Sequence, residues 1–150
     1  MGKKRVVKKT KEELLKERDK IEASVKKEIK TTDRLISKEG RIYISSSYNN
    51  TILTLTDEKG NTLYWTSAGH IGFKGTKKGT PFAASKVAEA MVQAVRKLKI
   101  KRIKLFVKGV GSGRDSAIRS LAARDLDIVS AKDVTPLPHN GCRPKRPRRV

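Results

Sequence analysis

From Gly40 onward the chain settles into a two-residue period, and that period limits the fold more than any other feature. Segments 41–47 (RIYISSS), 51–57 (TILTLTD) and 62–68 (TLYWTSA) are rich in β-branched and aromatic residues, the types that suit a pleated, half-buried surface. Asn49-Asn50 separates the first two and Glu58-Lys59-Gly60-Asn61 the last two; both are turn-forming sequences, so the three segments read as an antiparallel meander. GHIGFKGTKKGTP, from Gly69 to Pro81, follows as a glycine and lysine loop, with Thr80 as N-cap and Pro81 as first helical residue of the next element. Phe82, Ala83, Val87, Ala90, Met91, Ala94, Val95 and Leu98 then supply a broad apolar face for a helix reaching about Lys99.

The alternation returns in RIKLFVK, residues 102–108, where Ile103, Leu105 and Val107 oppose Lys104, Phe106 and Lys108. This is a fourth strand. GVGSGR, residues 109–114, is a second glycine loop; Ser112 with Asp115 predicts a helix cap, and Ala117, Ile118, Leu121 and Ala122 the inward face of a second helix. DIVSAKDV, residues 127–134, completes a fifth strand. A three-strand meander followed by helix, strand, helix, strand describes one α/β domain over 40–134, long enough for a single hydrophobic core.

Two basic flanks enclose this domain. Residues 1–39 comprise a basic arm and then a helix over about 10–30. Thr10 and Glu13 form a capping-box pattern, Leu14, Ile21, Val25 and Ile29 make one narrow apolar stripe, and Glu12 to Lys16 and Glu22 to Lys26 are supportive i to i+4 pairs. So thin a stripe fits either a solvated appendage or docking on a neighbouring surface. Residues 135–150, TPLPHNGCRPKRPRRV, carry four prolines, five cations and no acid. Proline removes a backbone donor and fixes φ, so this tail is expected to run extended with its cations fanned outward along phosphates.

Charge narrows the function. The chain holds 36 Lys and Arg against 15 Asp and Glu, a formal net charge of +21. Residues 1–40, 41–100, 101–134 and 135–150 contribute +6, +6, +4 and +5, so folded core and flanks alike favour a polyanion. No run of about 18 apolar residues offers a membrane span. One cysteine, Cys142, allows no internal disulfide, and MGKKRVVKK is not followed by an apolar signal core. The acids at Glu12, Glu13, Glu17, Asp19 and Glu22 argue against an organellar transit peptide, which leaves the cytoplasm as the expected compartment.

Both glycine loops stand where a strand hands over to a helix. Unsatisfied N–H groups at a helix N-terminus attract anions, and glycine permits close approach of a phosphate. Lys74, Lys77 and Lys78 in the first loop and Arg114 in the second add full charges, and the loops would lie side by side if strands three and four were neighbours. Enzyme motifs are missing. The glycines at 109, 111 and 113 do not make GxGxxG, because position 114 is arginine, and no GxxxxGK[ST] occurs. His70, His139 and Cys142 are too few for a four-ligand zinc site, so no metal or cofactor is expected. Asp57, Asp127 and Asp133 near strand ends do not make the acidic cluster of a two-metal nuclease. Ser45, Ser46, Ser47, Ser67, Ser112 and Ser116 read as hydrogen-bonding groups rather than nucleophiles.

Four stretches, SYNNTILTLTDEKGN at 47–61, WTSAGHIGFKGTKKGTPFAA at 65–84, FVKGVGSGRDSAIR at 106–119 and DVTPLPHNGCRP at 133–144, together resemble the family of small-ribosomal-subunit protein eleven, bacterial type. The resemblance covers 40–150. It implies a mixed five-stranded sheet with two helices in a ribonuclease H-like layout, used for binding and not for catalysis. It also implies a structural protein that bridges rRNA helices on the small-subunit platform near the mRNA exit cleft, beside platform proteins eighteen and seven, with no homo-oligomer and no membrane contact. The implied RNA-facing residues are Asn49 and Asn50; Ser67, Gly69, Gly72, Lys74, Gly75, Lys77 and Lys78; Gly109, Gly111, Ser112, Gly113 and Arg114; and His139, Asn140, Arg143, Lys145, Arg146, Arg148 and Arg149. Val110 replaces the family's usual proline, and the tail reads RPKRPRRV instead of a Pro-Pro pair followed by an unbroken basic run. The competing functions are a ribonuclease H-like nuclease and a nucleoid-type DNA binder.

Overall fold

A computed structural model describes residues 11–27, 39–143 and 145–146. The element order is α1 (Lys11–Lys27), β1 (Glu39–Ser46), β2 (Thr51–Asp57), β3 (Thr62–Ser67), α2 (Ala68–Ile71), a 3-10 turn (Gly75–Gly79), α3 (Pro81–Lys97), β4 (Arg102–Lys108), α4 (Gly113–Ala122) and β5 (Asp127–Asp133). The sheet runs β3-β2-β1-β4-β5. Within the meander the pairs β1–β2 and β2–β3 are antiparallel, whereas β1–β4 and β4–β5 are parallel. The sheet is therefore mixed, and β1 is its centre. Strands three and four are not neighbours; β1 and β2 stand between them.

Alternation decides which face of the sheet is covered. Ile42, Ile44, Leu53, Leu55, Ile103, Leu105 and Val107 are all buried and point to one side. Against them pack Ala83, Ala84, Val87, Met91 and Val95 of α3 and Ala117 and Leu121 of α4, in one continuous core. The intervening positions Arg41, Tyr43, Thr54, Trp65, Lys104 and Phe106 point to the other side and stay half-buried or exposed. Each outer strand holds one extra residue. Leu63 is skipped between the pairs Leu55–Tyr64 and Thr56–Thr62, and Val129 between Ile103–Ile128 and Lys104–Ser130, so both strands bulge.

Local chemistry accounts for the junctions. The Thr80 hydroxyl accepts from the Ala83 N–H at 3.3 Å, and Pro81 opens α3 where its missing donor costs nothing. The Asp57 carboxylate accepts from the Asn61 backbone and side-chain amides at 2.9 and 3.0 Å, closing the second hairpin. Glu89 on α3 is flanked by Lys86 at 3.2 Å and Arg124 at 3.2 Å, which ties α3 to the end of α4. Helix α1 lies against α2 and α3: Ile21 is half-buried beside the core, and Glu22 reaches Lys86 at 3.8 Å. Thr10 and Ile29 lie outside the described residues.

Several sequence expectations need correction. Phe82 is exposed and meets Phe73 edge-on at 6.0 Å, because it precedes the buried pair Ala83-Ala84 on the opposite side of the first turn. Ala122 is exposed at the last turn of α4. The loop from Gly69 to Pro81 contains helical structure, since Ser67 caps α2 by accepting from the His70 N–H at 3.2 Å and Gly72 closes it in the left-handed region at φ 113°. The tail is not extended throughout. It bends at His139-Asn140, where Asn140 adopts φ 55°.

Candidate nucleic-acid interface

Three segments and the root of the tail converge at the end of the sheet where β1 and β4 finish. The first is the β1–β2 hairpin. Ser47 N–H donates to Asn50 C=O at 2.9 Å, and Asn50 N–H returns a bond to the Ser47 hydroxyl at 3.1 Å. This leaves Tyr48 and Asn49 at the apex, with Tyr48 78 % exposed. The second segment, Lys74 to Gly79, presses against this apex: a side chain at Gly79 would strike the Tyr48 carbonyl. The third is the loop after β4, where the Gly111 N–H donates to Ser46 C=O at 3.1 Å and the Ser112 hydroxyl donates to Gly79 C=O at 2.5 Å.

The two glycine loops therefore do meet, by a route other than adjacent strands. The β1–β2 hairpin lies between them and both close onto it. Glycine is needed for that closure. Gly109 sits at φ 98° with its α-carbon facing the Ser46 carbonyl, and a β-carbon on Gly113 would collide with Thr51 and Ala84. Beneath the junction Ser46 Oγ, Asn50 Oδ1 and Thr51 Oγ1 are buried without a hydrogen-bond partner among the described residues.

Ser112 departs from its expected role. It lies in the helical region at φ −63° and makes no side-chain cap; its hydroxyl bridges the loops instead. Arg114 also turns inward. Its guanidinium donates to Gly109 C=O at 2.9 Å and to Asp133 Oδ2 at 2.6 Å, with Thr135 Oγ1 at 3.5 Å. The Thr135 hydroxyl and backbone N–H donate to Asp133 Oδ1 at 2.6 and 2.9 Å, and Gly109 N–H donates to Thr135 Oγ1 at 3.1 Å. The Thr135 hydroxyl first, then the Arg114 guanidinium, hold the Asp133 carboxyl far below the usual carboxylate range. This latch joins the second glycine loop, the end of β5 and the first residue of the tail.

Other predicted residues have mixed placements. Lys74 and Lys77 are exposed and Lys78 is half-buried. Gly75, at φ 59°, has open space around it, and Gly69 is exposed beside the Lys78 stem. His139, Asn140, Arg143, Lys145 and Arg146 are exposed along the tail, whereas Arg148 and Arg149 lie outside the described residues. Two further residues belong to this end of the sheet: Tyr48 at the hairpin apex and the exposed Lys108 at the end of β4. An aromatic immediately before Asn-Asn in a tight turn has no core to enter, and that pattern was the available signal for Tyr48.

Two of the carboxylates near the strand ends are engaged within the fold. Asp57 and Asp133 are engaged in a turn and in the latch, and among the described residues no group of three or more His, Cys, Asp or Glu comes together. Residues 40–149 match the model of the ribosomal protein S11 family. A small ribosomal subunit protein uS11 of Treponema pallidum is 53 % identical over 112 residues, covering 75 % of this chain and 89 % of that protein. One from Endomicrobium trichonymphae is 56 % identical over 110 residues, covering 73 % and 84 %. On the strength of that match the chain belongs to the ribosomal protein S11 family, non-enzymatic structural proteins of the small ribosomal subunit.

Proposed function

We propose that the chain fastens small-subunit rRNA by gripping it at two places: the junction of the glycine loops with the Tyr48 hairpin, and the cationic tail. The carrying observation is the Arg114–Asp133–Thr135 latch, which sets the root of the tail directly against the second glycine loop. A rigid contact and an extended one leave the same point of the fold, so the two can engage separate rRNA helices and hold them at a set distance. In this reading the bridging lies on the platform, near the mRNA exit cleft and beside proteins eighteen and seven, as the family resemblance implies. Lys74, Lys77 and Lys78 supply charge at the rigid contact, Asn49 and Asn50 supply amides, and Arg143, Lys145 and Arg146 continue the charge along the tail.

Hydroxyl-radical footprinting of reconstituted small subunits tests this. Lys77→Ala with Lys78→Ala should expose one rRNA helix, and deletion of 143–150 a different one. Loss of the same protections in both variants would contradict bridging. Unchanged protections in both would contradict the interface.

A further inference from the structure

The face of the sheet opposite the helices carries a second pattern that the interface above does not use. Strand register sets Trp65, Thr54, Tyr43, Phe106 and Lys132 side by side, one from each strand in the order β3-β2-β1-β4-β5. Tyr43 and Phe106 stack at 5.1 Å with 18° between their planes. Trp65 is 53 % exposed, and the His70 ring lies 5.4 Å from it. Neighbouring strands lie ~4.8 Å apart, so Trp65 stands ~10 Å from Tyr43 across the row. Three of the seven aromatic residues in the chain thus gather on the uncovered face.

The carboxylates of this face gather at one end, among cations. Two carboxylates, Glu39 and Asp127, lie at the end near Arg102, where Glu39 bonds Arg102 and Lys104 at 3.4 and 3.3 Å. From the aromatic row toward the glycine loops the charged positions are Lys108 and Lys132. Aromatic faces with hydroxyls between them and cations to either side, Arg41, Arg102 and Lys104 at one end and Lys108 and Lys132 toward the other, match the chemistry of unpaired nucleotides: bases stack on rings while phosphates meet the cations. An apolar protein partner would leave those lysines desolvated against it. The path is also continuous, since β4 runs from Phe106 through Lys108 into Gly109 of the rigid contact.

We infer that this open face is a separate binding surface for a single-stranded RNA segment, with Trp65 and the Tyr43–Phe106 pair as stacking platforms and Lys108 and Lys132 as phosphate contacts. Trp65 is the only tryptophan in the chain, so its fluorescence reports occupancy directly. The full chain would be titrated with a mixed-sequence single-stranded oligoribonucleotide and with its duplex. The single strand should quench Trp65. Phe106→Leu, which keeps an apolar side chain but removes the ring, and Lys132→Ala should each weaken that quenching, the former by roughly ten-fold. Trp65→Leu should weaken binding of labelled single strand by a similar factor, with the melting temperature measured alongside to exclude unfolding. Phe106→Leu should leave in place the rRNA protections that are lost on Lys77→Ala with Lys78→Ala, so the two surfaces fail separately. Unchanged Trp65 emission, or Trp65→Leu and Phe106→Leu binding single strand as tightly as the parent, would overturn the inference. So would crosslinks in assembled subunits that run from Lys132 to a protein chain with none from Trp65 to RNA.

Discussion

Replacing Gly111 by alanine separates two reasons for having glycine in the loop after β4. Gly111 does not lie in the left-handed region, so alanine brings no backbone strain of its own. It brings contact. The new β-carbon would strike the Ser47 carbonyl, 2.5 Å from Ser46 Oγ and 2.7 Å from the Ser47 carbonyl carbon, and backbone cannot swing aside as a flexible side chain can. Relief requires moving the loop, which lengthens or breaks the 3.1 Å bond from Gly111 N–H to Ser46 C=O. Overpacking costs about 1–3 kcal/mol and the lost hydrogen bond about 1 kcal/mol, together about 2–4 kcal/mol out of a domain stability of about 5–15 kcal/mol. At about 4–8 °C per kcal/mol for a domain of this size, the melting temperature should fall by at least ~8 °C. Circular dichroism of the free protein measures this without any RNA. Gly75→Ala is the control: φ is 59° but nothing stands within 4 Å, so its cost is the left-handed penalty alone, about 1–2 kcal/mol. A Gly111→Ala melting curve within a few degrees of the parent would refute the packing argument and return the glycine to a role in admitting phosphate.

Deletion of 143–150 should leave the melting temperature unchanged, and should reduce the slope of log affinity for rRNA against log salt by roughly 3.5–4.5 units if all five tail cations meet phosphate; an unchanged slope tells against phosphate contact. Asp133 has a lowered folded-state pKa, so its latch contributes stability above the ordinary aspartate pKa of about 3.9 and loses it only as pH falls from there through the folded value. Carboxyl NMR should find Asp133 still ionised at pH 3.9, and Arg114→Gln should move its titration upward; half-protonation at that pH in the parent would contradict the latch. Asn140-Gly141 is exposed with Asn140 at φ 55°, and it should deamidate faster in free protein than in assembled subunits, as mass spectrometry of aged samples would reveal; equal rates would mean that RNA does not cover the bend.

The strands could be read from sequence because alternation is local. β2 and β4 match their expected bounds, β3 and β5 end one residue early, and β1 starts two residues and ends one residue before its expected bounds. Strand order could not be read in the same way, because it depends on where the crossover lands. Seventeen helical residues of α3 span ~25 Å, enough to carry the chain from β3 back across the sheet and deliver β4 to the far edge of β1. No pattern in β3 or β4 alone encodes that distance. Ser112 shows the same limit at smaller scale: its spacing to Asp115 imitates a cap, but a hydroxyl bonds whichever acceptor lies nearest in space, and that is Gly79 C=O, 33 residues away in sequence. The latch was hidden for a like reason. Arg114 was legible as a cation, while its partner Asp133 is 19 positions further on, and only the parallel β4–α4–β5 crossover brings the two together.

The bulges at Leu63 and Val129 bear on the life of the protein before it meets RNA. A sheet open at both sides presents rows of backbone donors and acceptors that can template a strand from another molecule. Here each outermost strand carries an extra residue, which kinks and over-twists the edge, and β5 adds Asp127, Lys132 and Asp133 along its length. A newly made copy, still free of rRNA, thus offers no straight ladder to a second copy. Mutual repulsion at a net charge of +21 works in the same direction, so the edges that rRNA need not cover are guarded by the shape of the strands themselves.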